Sequence, residues 1–201
     1  MNIHTEITSS KPHFWSSRYR DHHTPWNLDE PAPPLVSFYQ HHASTMPLGK
    51  MIVIGCGHGH DAAYFANQGF DVVGLDFVPE ALLLAEQRYG KQVEWMEGNL
   101  FQLPDHLLNQ FDYVVEHTCF CAIHPEDRQK YVQAASSLLK PNGHVLGLFW
   151  AFVDPDGPPW PSHEDELKSL FGQHFQIEKL YRPQNSIQSR LNQEILGYFT
   201  K

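Results

Sequence analysis

Four apolar residues in a row, Met51 to Ile54, run straight into Gly55-Cys56-Gly57-His58-Gly59-His60-Asp61. Such a short unbroken apolar run marks a strand covered on both faces, the situation inside a parallel sheet. Ala62 to Gln68 is rich in helix formers, Gly69 stops it, and Phe70 to Leu75 reads as a second buried strand that carries Asp76 to its C-terminal edge. The alternation continues down the chain. Pro79 opens a helix that runs to Tyr89 and Gly90, Val93 to Met96 is a third strand, and Phe111 to Val115 a fourth. A helix is expected to begin in His124-Pro125-Glu126-Asp127-Arg128 and to extend to Leu139, with Lys140-Pro141-Asn142-Gly143 as its terminating turn. Val145 to Phe152 is the fifth strand, Asp154-Pro155-Asp156-Gly157-Pro158-Pro159-Trp160-Pro161 a rigid loop, and Ser162 the expected cap of a further helix, with Asp165 three positions on. Phe175 to Arg182 and Glu194 to Phe199 complete the sheet. Strands alternating with helices predict an α/β fold with a doubly wound sheet.

Ahead of the first strand lie a helix-like stretch, Leu35 to Ala43, and an aromatic cluster in Phe14-Trp15-Ser16-Ser17-Arg18-Tyr19 and Thr24-Pro25-Trp26-Asn27. Trp15 and Tyr19 stand four apart, on one helical face. That spacing suits a lid folded back over a ligand and a helix packed on the sheet equally well. Met1 to Lys11 is polar and expected to be frayed.

Composition narrows the function. A chain of 201 residues can bury a real core as one α/β domain, and its net charge of −9 with scattered Lys and Arg offers no basic stripe for nucleic acid or an anionic membrane. Small-molecule work fits better, and a monomer is expected. The first residues hold no apolar run suited to a signal peptide, and no stretch approaches the roughly 20 apolar residues of a membrane span, so a soluble, cytoplasmic protein is expected. Three cysteines, Cys56, Cys119 and Cys121, fit reduced thiols better than a disulfide framework.

The glycine turn carries the chemistry. Gly55, Gly57 and Gly59 let backbone approach a ligand, and Asp76 follows about 20 residues on, the distance at which an acid reaches a ribose hydroxyl pair. The spacing is G-x-G-x-G, where a dinucleotide site needs G-x-G-x-x-G with a small residue at the place of His60, and no Lys or Arg lies in the turn. A nucleoside without phosphates is favoured, and S-adenosylmethionine is the obvious one. An aromatic face near its sulfonium would contribute about 0.5–2 kcal/mol. Asn99, at the C-terminal edge of the third strand, is placed either to meet adenine or to close a turn. The 14 histidines invite a metal reading, but adjacent pairs such as His22-His23 cannot share one helix face, and no metal is expected.

Several motifs together resemble the thiopurine methyltransferase superfamily, and within it most the halide/thiol methyltransferases. They are Trp15 with Tyr19, Thr24-Pro25-Trp26, the turn Gly55 to Asp61, Gly74-Leu75-Asp76, Phe120-Cys121-Ala122-Ile123-His124-Pro125-Glu126-Asp127-Arg128, and Gly157-Pro158-Pro159-Trp160, and they span nearly the whole chain. The resemblance implies a Rossmann-like, seven-stranded, mostly parallel sheet with an antiparallel C-terminal strand, in one methyltransferase domain (1–201) with a lid (12–45) on a core (46–201). It implies S-adenosylmethionine as cofactor. Trp15, Tyr19 and Trp26 would close over the methionine end. Gly55 would receive it, with Cys56, Gly57, Gly59 and Asp61 also counted as cofactor-binding. Asp76 with Phe77 would hold the ribose, Asn99 and Leu100 would flank adenine, and His117 would lie near the methyl. Arg128 matches an arginine that lies by the acceptor in the thiopurine enzymes, so His117 and Arg128 are the catalytic candidates. Three positions depart from the family pattern: Tyr19 stands for a Trp, Asn99 for an Asp, and His117 for a Tyr of the halide/thiol branch. Imidazole can be base, cation or donor near neutral pH. The expected acceptor is a small soft nucleophile: thiol, hydrosulfide, halide, thiocyanate, or a selenium or tellurium analogue. The alternatives are oxygen or nitrogen methylation with His117 as base, and a nucleoside sensor without turnover.

Overall fold

The computed structural model describes residues 11–152 and 157–201. The expectations for the polar start of the chain and for Asp154-Pro155-Asp156 lie outside them. In chain order the main elements are α1 (Pro12–Arg20), α2 (Pro33–His42), β1 (Lys50–Ile54), α3 (His60–Asn67), β2 (Asp71–Asp76), α4 (Pro79–Tyr89), β3 (Glu94–Glu97), β4 (Phe111–His117), α5 (Arg128–Leu138), β5 (Leu139–Trp150), α6 (Glu164–Phe171), β6 (Gln176–Tyr181) and β7 (Glu194–Thr200). The strands make one sheet in the order β3-β2-β1-β4-β5-β7-β6, parallel from β3 to β5, with β7 running against both its neighbours. This is the expected Rossmann-like arrangement.

Period-two alternation sends each strand's side chains into two separate cores. Ile52, Ile54 and Val114 join Tyr131, Leu138, Leu167 and Phe171 of α5 and α6, whereas Met51, Val53 and Val115 join Leu35 and Phe38 of α2 and Phe65 of α3. Both faces of the central strands are thus covered, which is why they read as unbroken apolar runs. Strand order reverses between β1 and β4, so a crevice opens beyond their C-terminal ends. Everything chemical is gathered there.

Two local expectations are corrected. The helix expected to reach Leu139 ends at Leu138, and β5 begins at once and stops at Trp150 instead of Phe152. Leu139 pairs with Phe111, and the next pairing is His144 with Tyr113, so Lys140-Pro141-Asn142-Gly143 is an excursion inside the strand. Partners distant in sequence hold it there: Lys140 Nζ bonds both Asp112 oxygens at 2.8 and 2.9 Å, and the Lys201 amide donates to the Gly143 carbonyl at 2.8 Å. Ser162 does not cap α6. It is fully buried with its hydroxyl unpartnered and its amide on the Trp150 carbonyl at 2.7 Å, while His163 takes the N-cap position without a side-chain bond. The acidic first turn, Glu164 to Glu166, favours that helix start through its dipole.

Gly59 belongs to the packing more than to the crevice. It starts α3 with φ of +79°, and a Cβ there would stand 2.5 Å from Trp95 Cη2 and 2.9 Å from the Ala85 Cβ. Both atoms are held in the layer where α3, α4 and β3 meet. Gly59→Ala is expected to lower stability by about 1–3 kcal/mol through backbone strain and overpacking, read from denaturant unfolding.

Candidate active site

The C-terminal ends of β1 to β5 each contribute one piece of the crevice, and the aromatic segment covers it. The result is a cavity of about 620 Å³. Trp15, Tyr19, Trp26, Gly55, Cys56, Gly57, Asp61, Asp76, Phe77, Asn99, Leu100 and His117 all line it, while Gly59 and Arg128 do not.

Asp76, at the tip of β2, has a buried carboxylate that accepts from Gly57 N at 2.9 Å and from Val78 N at 3.0 Å. Burial pushes its pKa up to about 6, against the amides that favour the charged form. Asn99 both lines the cavity and closes its own turn, its Oδ1 accepting from Phe101 N at 2.9 Å.

The aromatic segment is a roof. Trp26 meets Trp15 and Tyr19 edge to face at 5.3 and 5.8 Å, and Tyr19, nearly fully buried, packs with Val78 and Ala81 at the start of α4. Such pairs contribute about 0.5–1.5 kcal/mol each beyond their buried area. Burial, reinforced by the charge of Asp76, holds the Tyr19 phenol well above its ordinary pKa, so it stays protonated. The segment from Thr24 to Ala32 is tied down along its length: Thr24 faces His58 at 3.3 Å, Asn27 faces His60 at 2.7 Å, Asp29 pairs with Arg88 at 3.2 Å, and Ala32 N donates to Asp61 at 2.8 Å. His60 is pushed down to about 4 by burial, with Arg88 and His58 adding to the effect, so this tie is made by a neutral ring.

At the other end stands His117. Its neighbour Glu116 points to the opposite face of β4, where Oε2 accepts from Phe120 N at 2.7 Å and Tyr131 Oη at 3.0 Å and so fixes the turn that follows. Burial raises the Glu116 pKa to about 7. His117 Nδ1 lies 2.7 Å from Asp61 Oδ2, and Arg190 Nη1 lies 3.1 Å from Nε2. Because guanidinium only donates, Nε2 is the acceptor and Nδ1 carries the proton to Asp61. Burial opposes the imidazolium, but the Asp61 charge and hydrogen bond outweigh it and leave the His117 pKa above its ordinary value. In the geometry shown the ring is neutral, since a protonated Nε2 would set two donors against each other. Burial also acts on Asp61, yet His117 and the Ala32 amide bring its carboxyl below the usual value.

Arg190 was not singled out by the sequence. It is buried in a short 3-10 turn (Gln188–Arg190) before β7, lines the cavity, faces Glu194 at 3.4 Å and donates to the Trp26 carbonyl at 2.7 Å. An Arg in Gln188-Ser189-Arg190-Leu191-Asn192, outside any motif, carries no local signal.

Arg128, the expected acceptor-side cation, is elsewhere. It is buried under Phe120, 4.6 Å from the ring, and its guanidinium is committed to Glu166 at 2.7 and 2.8 Å and to the carbonyls of Trp160 and Pro161 at 2.9 and 3.0 Å. It fastens the loop after β5 to α5 and α6. Cys56, Cys119 and Cys121 also line the cavity, each thiol pushed above its ordinary pKa by burial. Among the described residues, no group of three or more His, Cys, Asp or Glu is placed to hold a metal ion, and no helix is long and apolar enough to cross a membrane.

The family model of thiopurine S-methyltransferase matches residues 10–199. The chain belongs to that family. It is accordingly an S-adenosylmethionine-dependent methyltransferase. Among relatives of the family, thiocyanate methyltransferase 1 of Brassica oleracea is 33% identical over 197 residues, covering 93% of this chain and 84% of that protein. Thiopurine S-methyltransferase of Psychrobacter cryohalolentis is 25% identical over 195 residues, covering 84% and 88%. Among solved structures, the Burkholderia thailandensis 1,6-didemethyltoxoflavin-N1-methyltransferase superposes with a TM-score of 0.74 at 22% identity, covering 96% of this chain and 88% of that one, which shows the common fold.

Two measurements follow from this geometry. Asp76→Ala is expected to weaken S-adenosylhomocysteine binding by about 1–3 kcal/mol in calorimetry; in the unaltered protein affinity should fall as pH drops below about 6, where Asp76 takes a proton. Arg128→Ala is expected to cost on the order of 3 kcal/mol of stability in denaturant unfolding, because two carbonyls and Glu166 lose their donor.

Proposed function

We propose that this methyltransferase acts on a small, soft, anionic or thiol acceptor such as thiocyanate, hydrosulfide, halide or a thiolate. When bound, S-adenosylmethionine supplies an electrophilic methyl on a sulfonium; what remains for the protein is to hold both partners in line and keep water out. The residues fit that cofactor. A buried carboxylate at the tip of β2 suits a ribose hydroxyl pair, the cations among the lining residues are Arg18 and Arg190 rather than a phosphate-binding set in the turn, and aromatic rings roof the cavity. In this reading the backbone of Gly55, Cys56 and Gly57 receives the methionine end, Asp76 and Phe77 the ribose, Asn99 and Leu100 the adenine, and Trp15, Tyr19 and Trp26 form the cap.

One observation carries the acceptor assignment: a buried guanidinium, Arg190, touches His117 in the wall of a largely apolar cavity. Apolar walls strip water from a large polarisable anion at little loss, and a fixed guanidinium offers it charged hydrogen-bond donors. The name of the Brassica relative points the same way. A second reading, oxygen or nitrogen methylation, draws on the 2.7 Å contact that orients His117 on Asp61 as a base would be oriented. Against it, Nε2 is already engaged by Arg190.

Incubation with methyl-labelled cofactor and iodide, thiocyanate, hydrosulfide, an aryl thiol and a phenol separates the two. Label is expected in methyl thiocyanate, methanethiol, iodomethane and the thioether. Transfer to the phenol alone would overturn the assignment.

A further inference from the structure

Resting on the acceptor class just assigned, we propose that an anionic acceptor binds together with one proton, which goes to His117 Nε2, so that the anion is held between that new N–H and the guanidinium of Arg190.

The charges around His117 come from several elements. Asp61 reaches it from α3, Arg190 from the turn before β7 and Glu194 from β7, while Glu116 precedes it on β4 and points away. With His117 neutral, the near cluster holds two carboxylates against one guanidinium, and an entering anion meets net negative charge. A proton on His117 removes that excess. The proton alone is unwelcome, because Nε2–H and Nη1–H would then face each other across 3.1 Å with no acceptor between them. An anion is the missing acceptor. Each ligand therefore favours the other, a linkage that follows from the hydrogen-bond inventory. The raised His117 pKa, which the Asp61 charge and hydrogen bond bring about against burial, favours the same proton uptake. Arg190 is the second half of the seat, and it also bonds the Trp26 carbonyl of the roof, so acceptor charge and roof share one side chain.

The same bound state is reached from an uncharged thiol without solvent. The S–H bond breaks, its proton forms the Nε2–H bond, and sulfur keeps the electron pair as thiolate; the proton leaves His117 to water after the neutral thioether departs. Thiocyanate takes its proton from solvent and an alkyl thiol brings its own, so the two acceptors should differ in pH dependence.

The test measures KM for thiocyanate and for 2-mercaptoethanol across about pH 6 to 9. The thiocyanate KM is expected to rise about tenfold per pH unit above the His117 pKa, with kcat little changed, while the 2-mercaptoethanol KM stays level there. Calorimetry of thiocyanate binding to the S-adenosylhomocysteine complex at about pH 8, in buffers of differing ionisation enthalpy, should show uptake close to one proton. In His117→Gln both the slope and the uptake should vanish, and in Arg190→Gln the thiocyanate KM should rise at every pH. Turnover of thiocyanate with a level KM, no proton uptake, or a slope that persists in His117→Gln and so belongs to Glu116, would overturn the proposal. Absence of transfer to every soft acceptor would instead defeat the acceptor assignment on which it rests.

Discussion

One carboxylate joins the two halves of this enzyme. Asp61, in the first turn of α3, gives one oxygen to the Ala32 amide of the roof and the other to His117 at the end of β4. Because its side chain is largely buried and both bonds are short, it cannot relax toward one partner without exposing the other to an unsatisfied state, a cost of about 1–3 kcal/mol. The position of the roof and the orientation of the imidazole are therefore one geometric fact. Arg190 repeats the pattern from the far side, bonding Trp26 in the roof and His117 in the wall.

These ties act on a scaffold whose topology has already chosen the place. Parallel strands β1 and β4 stay paired to Ile54 and Glu116, and at this reversal of strand order the loops beyond them part and leave a gap that side chains do not fill. One side of that gap is lined by Gly57, held to Asp76 through its own amide, and the other by residues from β4 and the turn before β7; on the proposed reading the first takes the cofactor and the second the acceptor. Glu116 and Arg128 serve from behind the wall, one fixing the turn after β4 and the other fastening the loop after β5.

What could be read from the sequence was what is local. Met51 to Asp76 contains its own strand, turn, helix and acid, and each is specified by neighbours within a few residues. Trp15 and Tyr19 were legible as a face, but whether they roofed a ligand or packed on the sheet depended on contacts with Trp26, Val78 and Ala81 that no spacing reveals. Arg190 was illegible because the partners that set it in the cavity wall, His117 and Trp26, lie 73 and 164 residues away. Arg128 shows the opposite failure. Its motif stood out, yet Glu166, 38 residues on, together with two carbonyls, takes its charge into the interior. The excursion at Lys140 to Gly143 was read as a turn for the same reason, since Asp112 and Lys201 decide its geometry.

The antiparallel placement of β7 between β5 and β6 has a bearing on how the molecule is made. Residues between Trp15 and Leu100 supply one side of the cavity, but the guanidinium beside His117 is not seated until β7 has threaded between two strands synthesised before it. A nascent chain still lacking that strand on the ribosome would carry His117 without its guanidinium, so that on the proposed reading the side for the methyl donor is complete before the side for the methyl acceptor.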